Sequence, residues 1–348
     1  MAEIVLDGTL VGDGYPPYTI GEAGSNHSGI LAGAKKLIKL AKDFGAQAVK
    51  FQTRNNRELF TKAFFDSPYN SENALGPTYG LHREALEFGF EDYLKLSDYA
   101  KEVGITFFST PFDEASVSFL ETIGVPFYKV ASASATNLKF VKHVAERGKP
   151  VLISLGGCTK AQIWRTVDLA AKVNTNLVLM HCVASYPCPV EYSNLGRIKW
   201  LKKEFPEFVI GFSDHQDSIS LGGVAWELGA RVFEKHITLS HSLPGTDHGF
   251  SLEGPGLQLY TKFINHALIA NQDYDQPFDI EKSAIRKMAQ AVYLKTDLSA
   301  GAIIKEADLV LKSPADGISA EFYYEIIGQR LKIDVQSEQP LDWDYFET

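Results

Sequence analysis

Cysteine, methionine and tryptophan are scarce in the 348-residue sequence, at 3, 3 and 4 copies. The three cysteines, Cys158, Cys182 and Cys188, form an odd and sparse set, which excludes a disulfide framework. The step from Cys182 to Cys188 is not a zinc-knuckle spacing. All three read as free thiols in a reducing compartment, with Cys182 at the end of a buried strand. No apolar run approaches the roughly 18–20 residues that a membrane span needs. The opening MAEIVLDG carries neither the basic nor the apolar stretch of a signal peptide. A cytoplasmic protein with no membrane partner is therefore expected. Basic charge is also in deficit: 34 Lys and Arg face 43 Asp and Glu, a net −9. Nucleic-acid binders usually show the opposite balance, so no nucleic-acid partner is expected. A small anionic substrate stays open, because a pocket can be locally basic on an acidic protein.

One theme recurs from about residue 18 to residue 270. A short β-branched or aromatic run leads into an amphipathic helix closed by a stop residue. Eight strand candidates follow: Tyr18–Glu22, Ala48–Gln52, Ile105–Thr110, Phe127–Ser132, Pro150–Leu155, Leu177–Cys182, Val209–Ser213 and Val232–Thr238. Their starts lie roughly 22 to 32 residues apart, one βα unit, with a single larger gap. In Leu31–Phe44 the apolar Leu31, Ala34, Leu37, Ile38 and Ala41 fall at helical spacing. Gly45, Gly104, Gly124, Gly148 and Gly229 stand where helices should stop, with Asn174 and Pro206 as the stops of two other units. Eight parallel strands with crossovers close into a (β/α)8 TIM barrel. An open doubly wound sheet usually opens on a Gly-rich phosphate turn, and GxGxxG is absent. The larger gap, about residues 53–90, reads equally as a substrate-covering loop and as a packed surface excursion. After about residue 280 the pattern turns to short alternating runs with turns at SAG and PADG. The expected domains are a catalytic barrel over residues 1–285 and a small β-rich domain over 286–348. A domain that small buries little of its own surface and is expected to lean on something else.

Interiors of buried parallel strands should read as Val, Ile and Leu, yet these strands end in polar residues. The ends supply Glu22; Lys50 and Gln52; Thr110 with Phe112 beyond it; Lys129 and Ser132; Ser154; His181 and Cys182; Ser213, Asp214 and His215; and Glu234, Lys235 and His236. In a barrel those ends share one pocket. Lysines with hydroxyl donors suit a phosphate and a carboxylate. His215 and His236, from adjacent strands, can reach one divalent metal and leave positions open for substrate and water. Glu22 is placed to act as a general base. Taken singly each has a blander reading: a strand-end lysine is usually ion-paired, a lone histidine usually a satisfied polar group, and a serine often a helix cap. Convergence on one face is what sets them apart.

The motifs IGEAGSNHSG, KFQT, FFSTPFD, YKVASAS, PVLISLGG, LMHCVASYP, GFSDH, FEKHIT and PGTDH, taken in order, resemble the sialic acid synthase family of N-acetylneuraminate, legionaminate and pseudaminate synthases. LSAGAIIKEADLVLKSPADGI resembles the family's C-terminal SAF (antifreeze-like, β-clip) domain. The resemblance covers nearly the whole chain. It implies a transferase of carbohydrate biosynthesis that condenses phosphoenolpyruvate with an open-chain N-acylhexosamine or related aldose. The products would be a nonulosonic acid and phosphate, released by C–O cleavage. It assigns a divalent metal, Mn2+ first with Mg2+ or Co2+ as alternatives, to the positions of His215 and His236, and water activation to that of Glu22. The positions of Lys50, Thr110, Lys129, Ser132, Ser154 and Ser213 would hold phosphoenolpyruvate. Phe112 counts among the substrate-binding candidates, and Tyr186 and Asp247 match positions near the sugar. A homodimer in which one SAF domain caps the partner's barrel is implied as well.

Three positions depart from the family pattern. Ser134 stands where N-acetylneuraminate producers place an acidic residue, Ala184 where an asparagine is common, and Ser313 where an arginine is often found. The expectation is an acceptor other than N-acetylmannosamine, with bulkier or less polar substituents. Two alternatives to the synthase are another phosphoenolpyruvate- or metal-dependent barrel aldolase or synthase, and a carbohydrate-binding homologue without activity. The SAF-like segment speaks against the first. Retention of Glu22, Lys50, Lys129, His215 and His236 together speaks against the second.

Overall fold

A computed structural model describes residues 2–271 and 273–347. It divides into two compact units, Met1–Asn271 and Gln272–Thr348. The first unit begins with a hairpin that the sequence reading did not single out: β1 (Glu3–Leu6) and β2 (Thr9–Gly12) pair antiparallel across Asp7-Gly8. Both turn residues have positive φ, 48° and 78°, which suits the Asp-Gly turn that matches strand twist. Leu6 and Val11 are buried, and Asp7 accepts a hydrogen bond from Thr106 at the start of a barrel strand. The hairpin thus covers the N-terminal end of the barrel.

Eight strands follow: β3 (Tyr18–Glu22), β4 (Ala48–Thr53), β5 (Thr106–Pro111), β6 (Tyr128–Val130), β7 (Val151–Ser154), β8 (Leu177–Cys182), β9 (Val209–Asp214) and β10 (Ala230–His236). Their order is β5-β4-β3-β10-β9-β8-β7-β6, with every recorded pairing parallel. β5 and β6, the ends of that order, lie against each other. The sheet is a nearly closed barrel, as expected. Helices cover its outside through the predicted apolar stripes; Leu31–Asp43 buries Ala34, Leu37, Ile38 and Ala41. The stops also hold, with Gly104 and Gly124 in left-handed C-cap conformation at φ 72° and 81°. β6 is shorter than the expected Phe127–Ser132, because the chain leaves it for a 3-10 turn over Ser132–Ser134.

Residues 53–90 carry three short helices, Asn56–Leu59, Lys62–Phe65 and Tyr79–Glu84. Rings of Phe60, Phe64, Tyr69, Tyr79 and His82 pack edge-on, tilted or stacked. A Cβ on Gly80 would meet the Phe65 ring at 2.3 Å, so this packing requires glycine.

The second unit pairs β11 (Ala291–Leu294) with β12 (Leu309–Lys312) antiparallel. Val292, Leu294, Leu309, Ile318, Leu331 and Val335 are among the residues of a separate core. It is β-rich and turn-rich, as read from the sequence.

Candidate active site

Glu22, Lys50, Thr110, Phe112, Lys129, Ser132, Ser154, Tyr186, Ser213, His215, His236 and Asp247 all line one cavity of about 460 Å³ in the first unit. A larger groove, about 590 Å³, lies beside Asp7, Lys42 and Thr106 near the hairpin, but no buried titratable cluster lines it. Strand register builds the first site. Glu22 stands opposite Lys50 on one side and His236 on the other, while Glu234 stands opposite Ser213. Alternation then sorts each strand end. Ser213, His215, Glu234 and His236 line the cavity. Asp214 and Lys235 do not; they pair with each other at 3.1 Å on the other face. His181 is likewise behind the wall, bonded through Nε2 to the Ser193 carbonyl at 2.8 Å.

The cavity floor is a buried charge network. Glu22, Lys50 and Lys129 are 1, 3 and 2 % exposed. Lys50 Nζ lies 2.7 Å from Glu22 Oε2, donates to Thr110 Oγ1 at 2.9 Å and approaches Glu234 at 3.7 Å. Lys129 Nζ donates to Glu234 Oε2 at 2.7 Å, and Ser213 donates to Oε1 at 3.1 Å. Burial pushes the Glu234 carboxyl up, but Lys129 and Lys50 outweigh it and hold the group below the usual carboxylate range. Burial lowers Lys129 against the pull of Glu234, and the Lys50 charge adds to the lowering. Ser154 Oγ is buried with no hydrogen-bond partner among the described residues, a donor free for a ligand. Ser132 lines the cavity, but its hydroxyl is engaged: it accepts from the Gly156 N–H at 3.1 Å and lies 2.8 Å from Cys182 Sγ.

The imidazoles stand beside this network, His236 next to Glu22 in the register and His215 Nε2 3.4 Å from Ser213 Oγ. His215 Nδ1 lies 2.6 Å from the Val183 carbonyl, a contact that requires the proton on Nδ1 and leaves Nε2 with its lone pair. Burial, then the neighbouring His236, hold His215 down to about 3, so it is neutral at ordinary pH. The His236 ring centroid lies 5.6 Å from that of His215, and its Nδ1 is buried without a hydrogen bond. Asp247 Oδ2 stands 3.7 Å from that nitrogen. The His215 Nε2 lone pair and the unpartnered His236 Nδ1 are nitrogen positions of the kind a divalent cation takes, so this pair fits one. Among the described residues no cluster of three or more His, Cys, Asp or Glu offers a fuller ligand set. Remaining positions on such an ion would fall to substrate and water. Tyr186 lies over His215, with ring centroids 4.2 Å apart.

The NeuB family model matches residues 37–293, and the SAF domain model matches residues 289–347. The chain belongs to the NeuB family. Human N-acetylneuraminate-9-phosphate synthase is 33% identical over 339 residues, covering 96% of this chain and 94% of the relative. N,N′-diacetyllegionaminic acid synthase of Legionella pneumophila is 35% identical over 337 residues, covering 95% and 94%. The crystal structure of spore coat polysaccharide biosynthesis protein spsE from Bacillus subtilis superposes with a TM-score of 0.68 at 29% identity, over 100% of this chain and 99% of that one.

Sequence reasoning missed part of this NeuB-family cavity. Gln52, named only as a strand end, donates from Nε2 to Glu22 Oε1 at 2.6 Å and accepts from the Arg54 guanidinium. Arg54 lies over the Phe112 ring at 3.8 Å and has Glu87 at 3.6 Å. Tyr79 and Arg83, from the helix Tyr79–Glu84, complete that wall. Arg54 was within reach, two residues past Gln52 on the same side of the alternation. Arg83 carried no local signal, since only the aromatic packing of residues 53–90 sets its direction. Ser313 belongs to the second unit, where its hydroxyl donates to the Met288 carbonyl at 3.2 Å.

Proposed function

We propose that the chain condenses phosphoenolpyruvate with the aldehyde of an N-acylhexosamine-like sugar, giving a nonulosonic acid and phosphate by C–O cleavage in a metal-dependent reaction. The observation that carries the reading is the convergence, in one cavity, of two buried lysines, an unpartnered serine hydroxyl, a fixed carboxylate and two imidazoles. The names of the relatives support a sugar-acid product. Lys50 and Lys129, with Thr110, Ser154 and Ser213, would hold the phosphate and carboxylate of phosphoenolpyruvate. Ser132 would set the shape of that wall, and Phe112, Tyr186 and Asp247 would face the sugar. His215 and His236 would hold Mn2+, or Mg2+ or Co2+, which when bound supplies Lewis-acid polarisation of the aldehyde. A bond forms between C3 of phosphoenolpyruvate and the aldehyde carbon as the C=O π bond opens, and the aldehyde oxygen takes a proton from solvent water. Water then adds to C2, one of its protons going to Glu22, and the C2–O bond to phosphate breaks as the remaining hydroxyl proton passes to the leaving phosphate, which leaves a ketone. Gln52 and Lys50, one on each Glu22 oxygen, aim that carboxylate. A cytoplasmic homodimer with the SAF domain of one subunit over the barrel of the other completes the proposal.

Phosphate release from phosphoenolpyruvate, with Mn2+ and a panel of N-acylhexosamines and plain aldoses, tests it. Release that needs an aldose and stops on chelation supports the reading, with N-acetylmannosamine expected to be a poor acceptor. Absence of release with every aldose overturns the condensation, and full activity after exhaustive chelation removes the metal. An oxygen-18 label in the bridging position should leave with phosphate; retention in the sugar acid would refute C–O cleavage.

A further inference from the structure

Behind the cavity wall, Asp214 and Lys235 form an ion pair whose side chains are 0 and 1 % exposed. A buried ion pair is often no more stabilising than a well-packed apolar pair of similar volume. The place of this pair in the chain is nevertheless specific. Asp214 is the residue before His215, and Lys235 the residue before His236. The two are cross-strand partners, and the recorded β9/β10 pairing ends with them, so His215 itself stands beyond the ladder. Lys235 Nζ lies 3.1 Å from Asp214 Oδ2 and donates to the Gln216 carbonyl. The Gln216 N–H donates to Asp214 Oδ1 at 3.0 Å, which closes a turn around His215. One ammonium at the end of β10 therefore grips both chain neighbours of His215. The histidine's own carbonyl accepts the Cys188 N–H at 2.9 Å, and its ring is tied to Val183. A cation held by two nitrogens needs its donor distances right to about 0.2 Å.

We propose that the Lys235–Asp214 pair is a clamp that sets the spacing of His215 and His236, so that two positioning residues outside the cavity govern how tightly a divalent metal is held inside it. The inference rests on the reading that the two imidazoles hold a metal. Outer groups that orient metal-ligating residues typically contribute about 10–100-fold in metal affinity.

The test is Mn2+ binding to the chelator-stripped, full-length protein, read by calorimetry and by the electron paramagnetic resonance of free Mn2+, with no turnover required. The wild type should bind one ion, and His215→Ala should abolish that binding. Lys235→Met removes the ammonium but leaves the Asp214 charge buried and alone, which weakens the fold as well. The deciding variant joins Lys235→Met to Asp214→Leu, an apolar pair with no charge left uncompensated. It should unfold in urea at or above the midpoint of Lys235→Met, yet hold Mn2+ about tenfold or more weakly than the wild type. Asp214→Asn keeps the shape and the Gln216 contact. It should weaken Mn2+ about threefold or more, and it decides if the apolar pair does not unfold cooperatively. A pair with only a structural role could be replaced by the apolar one without effect on the ion. A loss of less than about threefold in the deciding variant therefore overturns the clamp, and a larger one sustains it. A wild type that binds no Mn2+, or binds it equally after His215→Ala, sinks the metal reading itself and the clamp with it.

Discussion

Glu22 Oε1 accepts a hydrogen bond from Gln52, while Oε2 faces the Lys50 ammonium at 2.7 Å. Two donors fix the carboxylate plane before any substrate arrives, as a positioned base requires. Glu22→Gln keeps the shape and removes the proton acceptor, and Lys50 retains Thr110 and the more distant Glu234. Turnover should fall about 10²-fold or more, with circular dichroism and cooperative thermal unfolding preserved. An unchanged kcat would take Glu22 out of the mechanism. This residue was legible in sequence because a carboxylate that ends a Val/Ile-type strand violates the strand's own pattern. Asp214 and Lys235 broke the pattern in the same way and were misread as pocket groups. Alternation assigns neighbours to opposite faces, but which face looks inward was not written locally. Arg83 broke no pattern at all.

Elements and loops were read unevenly, for a reason of distance. Strands and glycine stops are encoded within a few residues, and they stand where the periodicity put them. The short helices of residues 53–90 are held by ring contacts between separate segments, so no local period announces them. The N-terminal hairpin was announced by Asp-Gly and went unread. The loop after β3 offers a test at this scale. His27 lies between Phe88 and Phe51, with ring centroids 4.6 and 5.6 Å away, and its Nδ1 accepts the Gly29 N–H at 3.1 Å. Burial depresses it to about 4, against the pull of the Gly24 carbonyl. Its folded value lies below the unfolded 6.5. Below pH 6.5 the unfolded chain therefore takes up a proton that the folded chain refuses, and stability falls as pH drops towards 4. The loss from this group should reach about 2.5 kcal/mol by pH 4.5. His27→Asn keeps an acceptor for Gly29 and removes the titration. Urea unfolding at pH 7 and 4.5 should show a smaller pH-dependent loss in the variant by about that amount. Equal losses in both proteins would show that His27 is not buried neutral.

At the scale of the molecule, each unit has its own apolar core, so the barrel does not need the second unit's core in order to fold. Deletion of residues 286–348 should leave a barrel that unfolds cooperatively and binds phosphoenolpyruvate by calorimetry yet turns over poorly. Full activity in the truncated chain would exclude a capping role for the SAF domain. That the chain forms a barrel with a β-rich appendix was legible early, because eight regular βα units admit few architectures. How the loops would wall the cavity was not, since that depends on contacts between distant segments. Closure of the barrel carries a consequence in time. β3 pairs with both β4 and β10, and β10 ends roughly 200 residues further along. At a synthesis rate of about 5–20 residues per second, β3 waits on the order of 10–40 s on the ribosome for its second neighbour. During that interval its open edge, with the Glu22 carboxyl at its end, faces water or a chaperone. The β1/β2 hairpin, complete within a dozen residues, is formed before either neighbour of β3 has been made.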